Sequence, residues 1–96
     1  MDALSELCRW YERQSVNDWQ EDKGIAISSL DNPGWSLKID LKDTDLQDEK
    51  FSSVDIKRSD RDWVVARRND LKFEAFGGPG NLHEMISTFI AWTQQP

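Results

Sequence analysis

The feature that most constrains this chain is a run of alternating residues between positions 24 and 42, a pattern typical of a β-hairpin. In its second arm, apolar and polar side chains alternate with a period of two, as they do in a strand with one buried face. The apolar members of that arm are Trp35, Leu37, Ile39 and Leu41. A slip of one residue would move all four into water, so the alternation fixes the register.

The turn between the two arms is predicted at residues 31–34. Pro33 sets φ for the first corner, and Gly34 is expected to supply the positive φ that the second corner of a type II turn requires. In the first arm, Ile25 and Ile27 alternate with small residues. We therefore expect these two isoleucines to share the covered face of the second arm.

This stretch also carries a resemblance to a known family. The motifs are Leu30-Asp31-Asn32-Pro33-Gly34-Trp35, then Ile39-Asp40-Leu41, and upstream Trp10-Tyr11, Asp18-Trp19 and Gly24-Ile25. Together they resemble the immunity protein 53 family of bacterial polymorphic toxin systems. The resemblance implies a small cytoplasmic protein that protects its producer by binding and neutralising a cognate toxin.

Helical spacing predicts a first helix over residues 3–16, with Asp2 capping its start. Its apolar stripe is Leu4, Leu7, Cys8 and Tyr11. Trp10 falls off the centre of that stripe, so we expect it at the rim of the core. Cys8 on the stripe is interpreted as a small buried hydrophobe rather than a nucleophile.

The second half predicts three more strands, over residues 51–58, 62–68 and 71–76, and a final helix. Asn81 followed by Glu84 fits a capping arrangement for that helix. The glycine-rich residues 77–80 are interpreted as a hinge, because they match no nucleotide-binding fingerprint. The helix stripe contains Leu82, Met85, Ile86, Phe89 and Ile90.

This order of elements predicts an α+β fold, with a five-stranded antiparallel meander and the N-terminal and C-terminal helices packed on one face. The covered face would hold Ile25, Ile27, Trp35, Leu37, Ile39, Leu41, Val54, Ile56, Leu71 and Phe73. The opposite face would meet solvent and carry Ser28, Lys38, Asp40, Asp55 or Lys57, Lys72 and Glu74.

Length and charge limit the functions that this chain could have. The 96 residues are expected to form one domain, 1–96, and to be monomeric. They contain no signal peptide or membrane-spanning run, so we expect a cytoplasmic protein. The net charge is −6, and residues 1–50 hold 12 acidic and 6 basic side chains against 6 of each in residues 51–96. This balance argues against nucleic-acid or membrane binding and favours a basic partner.

Catalysis is not expected. His83 is the only histidine and Cys8 the only thiol, so neither a catalytic triad nor a histidine-rich or cysteine-rich metal site can be built. The acidic residues 43–50 lack the glycine and closing glutamate of a calcium loop. We expect no cofactor and no metal.

Because neighbouring strands are expected to alternate in direction, the sequence also predicts where a toxin-binding site would lie. The connection entering the first strand and the one leaving the second would lie at one end of the sheet, with Arg67 and Arg68 nearby to offset part of its charge. The predicted toxin-binding residues are Asp18, Trp19, Glu21, Asp22, Asp43, Asp45, Asp48 and Glu49. Trp19 would be the apolar anchor, or alternatively a lid over the core.

Two alternatives stay open. The toxin could dock on the open sheet face around Lys38, Asp40 and Glu74. The protein could also be an adaptor that binds a peptide along the exposed sheet edge. The sequence does not identify the toxin, although a nuclease with a basic substrate groove would suit an acidic inhibitor.

Overall fold

The structure, a computed structural model, describes residues 2–15 and 24–95. Their elements are α1 (Ala3–Ser15), β1 (Ile25–Leu30), β2 (Gly34–Asp40), β3 (Val54–Ser59), β4 (Asp62–Asn69), β5 (Lys72–Gly77) and α2 (Leu82–Thr93). The five strands form one antiparallel sheet in the order β1-β2-β5-β4-β3. The predicted α+β class, with an antiparallel sheet and a helix at each end of the chain, is confirmed.

The hairpin has the predicted register. Ile25 pairs with Ile39 and Ile27 with Leu37, and Leu37, Ile39 and Leu41 are fully buried. Trp35 is half-buried against the core, and its indole N–H donates to the Pro79 carbonyl at 3.0 Å. Ile27 is 42% exposed, because β1 is an edge strand of the sheet. The covered face is therefore well packed at the centre of the sheet and open at this edge.

The predicted role of Gly34 is wrong. Gly34 has no positive φ; among the described glycines only Gly24 does, at 116°. Gly34 instead begins β2 and pairs with Leu30. A Cβ at this position would lie 2.3 Å from the Gly77 carbonyl oxygen of the neighbouring strand β5. Glycine is needed here because two backbones approach closely, not because the turn requires an unusual conformation.

The core lies between the sheet and α2. The helix packs over β2, β5 and β4, and α1 packs against α2. Aromatic rings join the layers: the Phe89 ring meets Trp10 at 4.9 Å and Phe73 at 5.0 Å, and Phe51 meets Phe73 at 5.3 Å, all edge-to-face. This geometry is favoured by the ring quadrupoles.

The buried face of α1 differs from the predicted stripe. Leu4 is 57% and Tyr11 47% exposed, and Cys8 is also exposed. Trp10, expected at the rim, is 1% exposed. The inward residues are Ala3, Leu7, Trp10 and Gln14. The helix is rotated because burying one tryptophan removes more apolar surface than burying a leucine or a cysteine.

The start of α1 is capped as predicted, since the Asp2 carboxylate accepts the Ser5 amide at 2.8 Å. This hydrogen bond lowers the pKa of Asp2. At α2 Asn81 is the N-cap residue as predicted, but its side chain makes no capping hydrogen bond. Its amide donates instead to the carboxylates of Asp62 and Glu84, at 2.9 and 3.1 Å.

The same two carboxylates bind Arg58. Its guanidinium makes two hydrogen bonds to Asp62, at 2.9 and 3.0 Å, and one to Glu84 at 2.5 Å. These bonds, and then those from Asn81, hold the pKa of Asp62 and of Glu84 below their ordinary values. This cluster ties the first turn of α2 to the β3–β4 hairpin.

Acid is expected to weaken this tie. Because both carboxyl pKa values are lower in the folded protein than the ordinary 3.8 and 4.5, the unfolded chain binds more protons in acid. The cluster therefore stabilises the fold above about pH 4.5 and loses its effect as the pH falls through the folded pKa values. Arg58→Met should flatten the fall in the urea midpoint between pH 7 and pH 3.

Lys57→Met is the matched control for this prediction. It removes the same charge from the neighbouring residue, whose ammonium lies 3.8 Å from Asp60 on an exposed surface. An Arg58→Met variant with the same acid dependence as the Lys57→Met control would show that the cluster does not contribute.

Residues 77–80, predicted to be a hinge between strand and helix, connect β5 to α2. Gly77 is the last residue of β5, and a Cβ on it would lie 2.7 Å from the Met85 sulfur. The Gly78 amide donates to the Trp63 carbonyl at 3.1 Å. These two glycines allow β5, α2 and the β3–β4 hairpin to pack closely.

Candidate functional site

Residues 41–50, here called the acidic loop, join β2 to β3 through a series of turns. The four carboxylates predicted for this loop, on Asp43, Asp45, Asp48 and Glu49, all belong to exposed residues. The predicted partner residues Asp18, Trp19, Glu21 and Asp22 lie outside the described residues.

The described residues that flank positions 16–23 both contact this end of the sheet. Before them, the Gln14 side-chain oxygen accepts the Asp45 amide at 3.2 Å. After them, the Gly24 amide donates to the Asp40 carboxylate at 3.1 Å, and the Gly24 carbonyl accepts the Asp40 amide at 2.9 Å. The chain therefore leaves α1 and enters β1 beside the acidic loop.

The loop is partly fastened by its own residues. Thr44 donates to the Leu41 carbonyl at 2.7 Å and accepts the Leu46 amide at 3.2 Å. The Asp43 amide, at a residue with φ of 66°, donates to the Gln47 side chain at 2.7 Å. Leu46 is buried in the core. These contacts give an irregular segment a defined backbone path, as local side-chain hydrogen bonds do in turns.

Two buried tryptophans hold the loop from the helices. The Trp10 indole donates to the Asp45 carboxylate at 3.1 Å, and the Trp92 indole donates to the Lys50 carbonyl at 2.8 Å. Sequence reasoning missed both contacts. The available signal was chemical: a buried indole N–H usually finds an acceptor, and the acidic loop offers many.

The two arginines predicted near this end behave differently. Arg68 donates to backbone carbonyls of the acidic loop, at Leu46, Gln47 and Glu49. Arg67 lies on the open face of the sheet, where it bonds Glu74 at 3.0 Å and stacks 5.5 Å above the Phe76 ring. Only Arg68 therefore places its charge at the loop.

The open sheet face is more covered than predicted. Glu74 was expected to meet solvent, but it is only 9% exposed, and its carboxylate is paired with Arg67, whose guanidinium also lies over the Phe76 ring. A groove of about 320 Å³ lies farther along this face. Its lining is Asn32, Asp55, Ile56, Lys57, Asp60, Trp63 and Val65. The charges of this groove are mixed, whereas those of the acidic loop side chains are mostly negative.

Groups that often carry chemistry are dispersed in the structure. His83 is exposed in the first turn of α2, and Cys8 is exposed on α1. Within residues 2–15 and 24–95, no three His, Cys, Asp or Glu side chains are grouped so that they could hold a metal ion. No helix in the described part of the chain is long and apolar enough to span a membrane.

The model of one family, immunity protein 53, matches residues 4–94, and the chain belongs to that family. Membership of this family implies an immunity protein that binds a toxin partner. No curated protein and no solved structure matches the chain.

Proposed function

We propose that this immunity protein neutralises the toxin of a bacterial polymorphic toxin system, in the cytoplasm of its producer, by binding it through one acidic surface. The proposed surface consists of Asp43, Asp45, Asp48 and Glu49 of the acidic loop together with Asp18, Trp19, Glu21 and Asp22. Trp19 would supply apolar burial, and the carboxylates would supply orientation and a fast encounter.

The observation that carries this proposal is the position of the two flanking residues. Gln14 bonds the acidic loop itself, and Gly24 bonds Asp40 just before it. The described residues on either side of positions 16–23 are therefore held at this end of the sheet. This supports one surface built from two acidic segments that are distant in sequence.

The charge of the surface supports a toxin with a basic face. A nuclease fits this requirement, because carboxylates can occupy the groove in which basic side chains bind phosphates, and opposite charges accelerate association. In this proposal the bound protein blocks substrate access and modifies nothing. The gene immediately upstream is expected to encode the toxin, with a variable C-terminal domain.

Reversing two loop charges is expected to weaken binding. The probe is the C-terminal domain of the toxin encoded upstream, co-expressed and purified as the complex. Asp48→Lys/Glu49→Lys should slow association about tenfold or more at low salt and flatten its salt dependence. Asp48 and Glu49 suit this test better than Asp45, whose carboxylate also accepts a hydrogen bond from Trp10.

Asp31→Lys/Asp60→Lys is the matched control, because it changes the net charge by the same amount in the turns at the other end of the sheet. Both residues are exposed, and Asp60 lines the groove of the open face. The control should retain most of the parent's association rate. If the control abolished binding while the loop variant bound like the parent, the acidic surface would be wrong and the open face would replace it.

A further inference from the structure

We infer that Arg68 is a positioning residue that holds the acidic loop in the arrangement its partner recognises. This inference rests on the proposed function, because it assigns a role in toxin binding to a residue beneath the binding surface. Arg68 lies near the end of β4 and is half-buried. It reaches the loop from the inner side of the sheet.

The guanidinium of Arg68 binds four backbone carbonyls. Its Nη1 donates to Leu46 at 3.0 Å and also to Glu49, its Nη2 donates to Gln47, and its Nε donates to Asp70 at 2.8 Å. The first three acceptors lie within four consecutive residues of the acidic loop, and the fourth lies in the β4–β5 turn. One side chain thus ties the loop to the sheet.

Arginine is suited to this position because its planar fork carries five donors in fixed directions. Lysine has the charge but not the fork, so it could not reach all these carbonyls in one geometry. Without Arg68, the carbonyls of Leu46, Gln47 and Glu49 would bind water instead, and the loop would sample more conformations.

A loop that is ordered in advance makes binding tighter, because the partner does not have to supply the free energy of ordering it. Arg68 should therefore strengthen toxin binding, although its positive charge opposes attraction to a basic partner. Removing it tests these two effects against each other, since they change affinity in opposite directions.

Arg67 offers the matched control. It is adjacent in sequence and carries the same charge, but its side chain bonds Glu74 on the other face of the sheet. Arg68→Met and Arg67→Met each make the protein more negative by one charge. Electrostatic attraction to a basic toxin would therefore favour both variants equally.

The first measurement is hydrogen exchange of the free protein. The Gln47 and Glu49 amides, which donate within the loop to Thr44 and Leu46, should exchange about tenfold faster in Arg68→Met. They should exchange at the parent's rate in Arg67→Met. Amides of β2 and β5 report on the whole fold and should stay protected in both variants.

The second measurement is affinity for the same purified toxin domain. Arg68→Met should bind about tenfold more weakly, and Arg67→Met as tightly as the parent or more tightly. Arg68→Lys, which keeps the charge, should show most of the loss seen in Arg68→Met. If Arg68→Met did not fold, Arg68→Lys would carry both measurements.

Two results would overturn the inference: loop amides that stay protected without Arg68, or a loosened loop with unchanged affinity. Failure of the proposed function is a separate result. In that case Asp48→Lys/Glu49→Lys would also bind the toxin like the parent, whatever the exchange rates of the loop.

Discussion

Trp10→Ala is expected to lower the free energy of unfolding by about 3–5 kcal/mol, the usual cost of deleting a buried large aromatic side chain. Trp10 is 1% exposed, its ring packs against Phe89, and its indole N–H donates to Asp45. The substitution would leave a cavity between the two helices and remove one tie to the acidic loop. Urea denaturation followed by circular dichroism measures the effect.

Leu4→Ala is the control on the same helix. Leu4 is 57% exposed, so its truncation should change the free energy of unfolding by no more than about 0.5 kcal/mol. This pair of variants tests the rotation of α1 directly. A large loss for Leu4→Ala with a small one for Trp10→Ala would restore the helical face expected from the sequence.

Gly78→Ala is expected to destabilise the protein by about 1–3 kcal/mol or more, the range for forcing extra atoms into a packed site. An added Cβ would lie 2.2 Å from the Arg61 carbonyl oxygen and 2.8 Å from the Asn81 side-chain oxygen. Because the nearer atom belongs to the backbone, the β3–β4 turn and the start of α2 would have to separate. Thermal and urea midpoints measure the loss.

Gly80 lies in the same connection and supplies the control. A Cβ there would have no atom within 4 Å, and Gly80 is not among the residues with positive φ. Gly80→Ala should therefore be neutral or stabilise the fold by up to about 1 kcal/mol, since alanine restricts the unfolded chain. Equal effects at the two positions would contradict the close packing at Gly78.

The sequence predicted the sheet well because period-two alternation encodes the face of each residue. Leu37, Ile39 and Phe73 are buried as expected. The buried face of α1 could not be predicted in the same way, because two possible apolar stripes of this helix share Leu7. One continues through Leu4 and Cys8, the other through Ala3 and Trp10. Packing against Phe89 selects the second, and that contact lies 79 positions along the chain.

The proposed binding surface could be derived only in part from the sequence. Acidic composition and the alternating direction of the strands were enough to nominate Asp43, Asp45, Asp48 and Glu49. The role of Arg68 was not predictable, because its acceptors are backbone carbonyls, which every residue has, in a segment without periodicity. The role of Gly34 was missed for a related reason: its constraint comes from β5, more than forty residues later.

The acidic loop is held mainly through its backbone. The residues that fix its conformation are therefore largely different from those whose side chains it exposes. The ties from Arg68 and Trp92 end on carbonyl oxygens, which are present whatever side chain a residue carries. Asp48 and Glu49 can therefore be exchanged for other residues without removing a fastening, whereas Asp45 cannot. If the acidic loop binds the toxin as proposed, substitutions at Asp48 and Glu49 would change its partner preference while the backbone framework stays the same.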